Sequence, residues 1–264
     1  MSAIVIKEGL IHYEVIGRGE PLLFIHGWLG SWRYWVPAME ELSAKHRTYA
    51  LDLWGFGDSD KLSNYYNVEA YVELLGEFLE QLGILRIAIP VVGHGLGGLV
   101  ALAFAAKFPD LVQRVMAVSV PVMGEAINRP LAGFAANGDA LARLVAKRAN
   151  FPEVEMEARK TDANAIANSV QSVMEYDLRD VLSPLEETPV LLAYGGEDPL
   201  IQVPEPEWLE DFEDNVRSMS LDGAQHFPML EERNKFNRLL KDFLAAEDDL
   251  ESLTLKEEWQ RRFR

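Results

Sequence analysis

The sequence predicts an α/β protein with a mostly parallel central sheet, helices on both faces and an inserted helical segment. Three observations lead there. Short apolar runs alternate with stretches of helical period, glycine-rich turns follow the carboxyl ends of several runs, and the stretch between Pro121 and about Leu185 reads as helical without a convincing strand. At 264 residues the chain fits one such domain with an insertion.

The elements follow in order. Residues 1–6 run straight into strand-like sequence: 9–17 (GLIHYEVIG) alternate as in an edge hairpin, and 21–25 (PLLFI) form an apolar run suited to a central strand. A third run, Arg47 to Leu53, ends in Gly55-Phe56-Gly57-Asp58, where the glycines predict a tight loop. Asn67 caps a helix whose apolar face is Val68, Tyr71, Val72, Leu75, Leu79 and Leu82, and Gly83 stops it. A strand is expected over Arg86–Val92, with Pro90 as an irregularity, and then a glycine turn and a helix to about Lys107. Val115–Val120, Pro189–Tyr194 and the more polar Asn215–Leu221 complete the strands, and a last helix ends near Ala246. The expected division is a core over residues 1–120 and 187–246, a helical cap over 121–186, and a docked terminal helix over 247–264.

Composition narrows the function. Asp and Glu number 42 against 25 Lys and Arg, and the resulting charge of −17 repels phosphate backbones and anionic lipid surfaces. Nucleic acid and membrane are therefore not the expected partners; a small-molecule ligand or substrate is. With no cysteine there is no disulfide framework or thiolate nucleophile, and a cytoplasmic location is expected. No apolar run is long enough to span a bilayer. No H-E-x-x-H metal motif occurs, and no metal and no cofactor is expected.

Acyl transfer needs a nucleophile on a sharp turn, a histidine base, an acid to orient it and backbone donors for the oxyanion. Gly93-His94-Gly95-Leu96-Gly97-Gly98 has the spacing of a nucleophile elbow between a strand and a helix, but its centre is Gly95, which has no side chain. Asp198 lies just past the strand ending at Tyr194, with Glu197 as a fallback, and His226 lies between the last strand and the last helix. The order of nucleophile position, acid and histidine suits this fold. His26-Gly27-Trp28 follows the first central strand, which lets the Trp28 N–H pair with that of Leu96 as an oxyanion hole.

With His26-Gly27-Trp28, the run from Asp52 to Ser59, the elbow at 93–98, Asp198-Pro199 and His226-Phe227-Pro228 in this order, the chain resembles the α/β-hydrolase superfamily over nearly its whole length. The resemblance implies the α/β-hydrolase fold and a cofactor-independent, esterase-like site under a helical cap. His226 would be its base, Asp198 the orienter, and Trp28 and Leu96 the oxyanion donors.

Other residues are weighed against this frame. Trp32 and Phe227 are candidate substrate contacts; Tyr34 and Trp35 read as core, and Met123, Phe134, Phe151 and Met156 of the cap are left unassigned. His26 and His94 are expected to hydrogen-bond locally, and His12 and His46 to be solvated. Ser119 lacks the elbow position and reads as structural. Three functions remain open at this point: a pseudo-hydrolase that binds a small apolar ligand, an enzyme using His226 and Asp198 as acid and base, and a serine hydrolase whose serine has been replaced. Little ordinary esterase activity is expected in any of them, and the oligomeric state is left open.

Overall fold

The computed structural model describes residues 2–28, 30–121, 151–212, 214–246, 250 and 252–253. Its strands are β1 (Ser2–Ile6), β2 (Gly9–Gly17), β3 (Glu20–Ile25), β4 (His46–Leu51), β5 (Ile89–His94), β6 (Val112–Val118), β7 (Val190–Gly195) and β8 (Val216–Leu221). They form one sheet in the order β1-β2-β4-β3-β5-β6-β7-β8. β1 and β2 make the antiparallel edge hairpin, β2 meets β4 antiparallel, and every later pairing is parallel. The central strands read as unbroken apolar runs because both faces are covered; Leu22 to Ile25 and Val190 to Gly195 are buried throughout.

The helices are α1 (Val36–Leu42), α2 (Val68–Gln81), α3 (Leu96–Lys107), α4 (Pro152–Ala158), α5 (Ala163–Val173), α6 (Leu178–Leu182), α7 (Pro228–Glu231) and α8 (Arg233–Ala245). Asn67 caps α2 by accepting the Ala70 N–H at 2.8 Å, and Val68, Tyr71, Val72, Leu75 and Leu79 are buried as their spacing requires. α4, α5 and α6 lie in the helical insertion between β6 and β7. No helix among the described residues is long and apolar enough to cross a membrane.

β3 has β4 on one side and β5 on the other. Successive connections therefore leave in opposite directions at β3, opening a crevice at the carboxyl ends of β3 and β5, where parallel sheets gather ligands. The loops that begin at His26 and Gly95 both open there.

Several boundaries differ from expectation. β5 starts at Ile89 rather than Arg86 and runs on to His94; the pairing with β6 is irregular between Ile89 and Pro90, since proline has no N–H for the ladder. β6 spans 112–118 rather than 115–120, because Ser119 turns out of the strand at φ 46°. His12 is 6% exposed and half-buried His46 opens β4, so neither is the solvated side chain expected. His12 is drawn inward by Asp52, whose Oδ2 lies 3.2 Å from its Nδ1. Met123, Phe134 and most of 247–264 fall outside the described residues; Leu250 and Leu253 are buried.

Candidate active site

β5 delivers the chain to Gly95, which has φ 51° and ψ −115° before α3 begins at Leu96. This backbone is strained for any residue with a side chain, and glycine carries it at little cost. The flanking glycines answer to close approach. A Cβ at Gly93 would run into the Gly97 carbonyl, and one at Gly97 into the carbonyls of Ile25 and His26. At Gly95 itself a Cβ would meet nothing nearer than Trp28 Cε3 at 3.7 Å and Gly27 Cα at 3.9 Å.

β7 and β8 bring the other partners. His226 Nδ1 lies 2.9 Å from Asp198 Oδ2, and Asp198 Oδ1 accepts the N–H groups of Leu200 and Ile201 at 2.8 and 3.1 Å. The Asp198 side chain is wholly buried, whereas Glu197 is exposed and unneeded as a substitute. Burial alone would raise the Asp198 carboxyl; the His226 charge and hydrogen bond, with the two backbone donors, hold it below its usual value. The Glu231 carboxylate takes the Gln225 N–H and braces the loop from the other side, and burial pushes that carboxyl up.

A chain of hydrogen bonds ties the three loops together. The Gly27 N–H donates to Tyr34 Oη at 2.5 Å, Tyr34 Oη is 3.1 Å from His94 Nδ1, and His94 Nε2 is 2.8 Å from the His226 carbonyl. A carbonyl can only accept, so His94 carries its proton on Nε2, and Tyr34 donates to Nδ1. Burial, reinforced by the charge of His226, keeps His94 well below the ordinary histidine value and hence neutral. His26 has the opposite tautomer: Nε2 accepts the Leu53 N–H at 3.0 Å, and Nδ1 donates to the Gly27 carbonyl at 2.8 Å.

The structure thus brings together Gly95, Trp28, Leu96, His94, His226 and Asp198. Among the described residues neither the Trp28 N–H nor the Leu96 N–H has a partner. Phe227 is 2% exposed and packs against both His94 and His226, with ring centroids 5.1 Å from each, while the two imidazoles meet each other directly at 4.7 Å. The ring neighbours of Trp32 are His12 at 5.8 Å and the Arg33 guanidinium at 4.6 Å, a different group from the His226 pair. Ser119 is fully buried and its hydroxyl has no partner among the described residues, which leaves it no exposure from which to attack.

His12, Asp52 and Asp58 lie close enough to suggest a metal site. Their donors are already engaged: Asp52 takes the N–H groups of Trp32 and Asp58 as well as His12, and Asp58 is paired with both Arg33 and Lys160. The group closes the loop after β4 and ties it to the insertion through Lys160. Tyr34 and His94 as loop connectors were not legible in the sequence, for their partners lie far along the chain.

The crevice sets a histidine–carboxylate pair against His94, the residue before the strand-to-helix glycine turn, in a hydrolase-type α/β fold. The sequence profile of the family described as alpha/beta hydrolase fold matches residues 20–168, and the chain belongs to that family. It is similar to the 2-hydroxy-6-oxo-2,4-heptadienoate hydrolase of Pseudomonas putida, 29% identical over 266 residues, covering 88% of this chain and 92% of the relative. It is also similar to the pimeloyl-[acyl-carrier protein] methyl ester esterase of Aliivibrio salmonicida, 25% identical, covering 90% of this chain and 97% of that one. Among solved structures, a serine-to-glycine mutant of the N-acyl homoserine lactonase AidH, complexed with N-hexanoyl homoserine lactone, shares the fold. The TM-score is 0.79 at 23% identity, covering 92% of this chain and 96% of that one.

Proposed function

We propose that this protein acts on a small, largely apolar ester or carbonyl compound without forming an acyl-enzyme, using His226 and Asp198 as an acid–base pair beneath a cap formed by residues 121–186. The observation that carries this reading is the intact His226–Asp198 pair, 2.9 Å apart, beside a turn that keeps the strained elbow backbone at Gly95 and lacks the hydroxyl. A site that had lost all chemistry would not need the pair.

In this reading His226 Nε2 takes a proton from a water molecule. The resulting hydroxide adds to the carbonyl carbon, and the N–H groups of Trp28 and Leu96 receive the negative charge on oxygen. Collapse expels the alkoxide, which takes the proton back from His226, and Asp198 holds the imidazolium between the two transfers. The names of the relatives, a heptadienoate hydrolase and a methyl ester esterase, support a carbonyl substrate. Loss of the serine of a comparable triad lowers turnover by about 10^6, so ordinary esterase rates are expected to be near background.

A second reading, ligand capture without turnover, is favoured by the same missing hydroxyl. Assays with short aryl esters and lactones separate the two. Slow hydrolysis that disappears in His226→Ala and falls in Asp198→Asn, with no acyl adduct by mass spectrometry, supports the acid–base reading. Hydrolysis indifferent to both substitutions, or a trapped adduct, overturns it.

A further inference from the structure

We propose that Ser169, in the helical insertion, is a positioning residue for the oxyanion side of the site and acts through the indole of Trp28. This rests on the reading of the Trp28 N–H as an oxyanion donor. Trp28 Nε1 donates to Ser169 Oγ at 3.0 Å across 141 residues of sequence, and the indole is 3% exposed. The direction is fixed, because the Ser169 hydroxyl donates its own proton to the Ala165 carbonyl at 2.5 Å and presents a lone pair to the indole.

The same helix is fastened to the core elsewhere. The Asp162 N–H donates to the Gly55 carbonyl at 2.8 Å, the Asp162 carboxylate accepts from Tyr66 Oη at 3.0 Å, and Ser172 Oγ accepts the Val68 N–H at 3.1 Å. These contacts hold α5 whether or not Ser169 takes part. Ser169 alone among these side chains reaches the loop that carries Trp28, and Cε3 and Cζ3 of the same indole lie 3.7 and 3.8 Å from the position of a Gly95 Cβ. The Trp28 side chain is thus held between the insertion and the glycine turn, and with it the orientation of the Trp28 peptide. Residues with one ring edge pinned and the other against the reacting position transmit small displacements, and such displacements are costly where a donor must meet a developing charge.

Two probes of equal chain length test this. O-butyl methylphosphonate is a tetrahedral anion, and butyl acetate is its neutral planar counterpart. Calorimetric titration of the full chain is expected to show Ser169→Ala weakening the phosphonate about tenfold, the loss of roughly one well-placed hydrogen bond, with less than a twofold change for butyl acetate. Trp28→Phe, which keeps a ring but no donor, should show the same split, and Ser169→Thr should restore the parent values. In parallel, with ¹⁵N-labelled tryptophan, one indole N–H should lose its exchange protection in Ser169→Ala and regain it in Ser169→Thr. Equal weakening of both probes, or no weakening of the phosphonate, overturns the proposal, as does an unchanged set of indole resonances. A parent chain that binds neither probe counts against the proposed function. Persistent indole protection in that case would reduce Ser169 to an anchor of the insertion and overturn its positioning role.

Discussion

Gly95→Ser places a hydroxyl at the candidate nucleophile position, and the structure allows both its cost and its gain to be worked out. A Cβ at Gly95 meets its nearest neighbours at 3.7, 3.8 and 3.9 Å, ordinary contact distances, so the Cβ itself adds no packing penalty. The cost is the backbone: φ 51° with ψ −115° is strained for an L-residue, about 1–3 kcal/mol, or a fall of a few degrees in Tm for a chain of this size. Gly95→Ala carries the same strain without the hydroxyl and isolates it. The gain follows from the neighbours. If His226, Asp198 and the Trp28 and Leu96 N–H groups have the roles proposed above, turnover of short aryl esters should rise by several orders of magnitude, up to about 10^6 by analogy with triad knock-outs. The assay is hydrolysis of p-nitrophenyl acetate beside labelling with a fluorophosphonate, with urea melts of all three proteins. A serine variant that melts like the alanine variant, takes no label and turns over no faster than the parent refutes the idea that the remaining machinery is complete.

Other outcomes follow from the same geometry. Tyr34→Phe strips an acceptor from the Gly27 N–H and a donor from His94, so it should destabilise by about 2–4 kcal/mol in chemical denaturation. Tyr194→Phe removes a buried hydroxyl with no partner among the described residues and should be neutral or slightly stabilising; equal costs for the two substitutions would contradict the hydrogen-bond chain. Ser119→Gly relieves a left-handed φ of 46° and should raise stability by up to about 1 kcal/mol, whereas a drop would show that its hydroxyl matters. Stability should also fall with pH below about 6.5. Burial lowers His26, His94 and His46, so in that range the unfolded chain binds protons the native state refuses, at up to about 1.4 kcal/mol per pH unit for each histidine. His12 opposes this, since its hydrogen bond to Asp52 raises it and its contribution is complete below its unfolded value, and Glu231 opposes it too, since burial raises that carboxyl. Urea unfolding at pH 7.5 and 5.5 checks the balance of the three lowered histidines against these two groups; equal or greater stability at pH 5.5 would contradict it.

The sequence by itself determined the fold and the order of the candidate site residues along the chain. Apolar runs long enough for strands, a capped helix with a 3.6 period, and glycines where backbones must touch are local signals, each read within a few residues. Their order along the chain placed Gly95, Asp198 and His226 at strand ends, and parallel topology gathers strand ends on one edge of the sheet. What local pattern cannot carry is a contact between distant residues. Pro90 could be flagged as irregular, but only the pairing of β5 showed where the ladder yields to it. Phe227 packed on His94 and His226, Trp32 beside His12, and the burial of His12 against Asp52 depend on which surfaces the sheet order brings face to face. The tautomer of His94 needed a phenol 60 residues before it and a carbonyl 132 residues after it. Tertiary structure likewise decided that Gly95 sits with the strained backbone of an elbow and room for a side chain, because φ and ψ at that turn are imposed by β5, α3 and the packing of Gly93 and Gly97 around it.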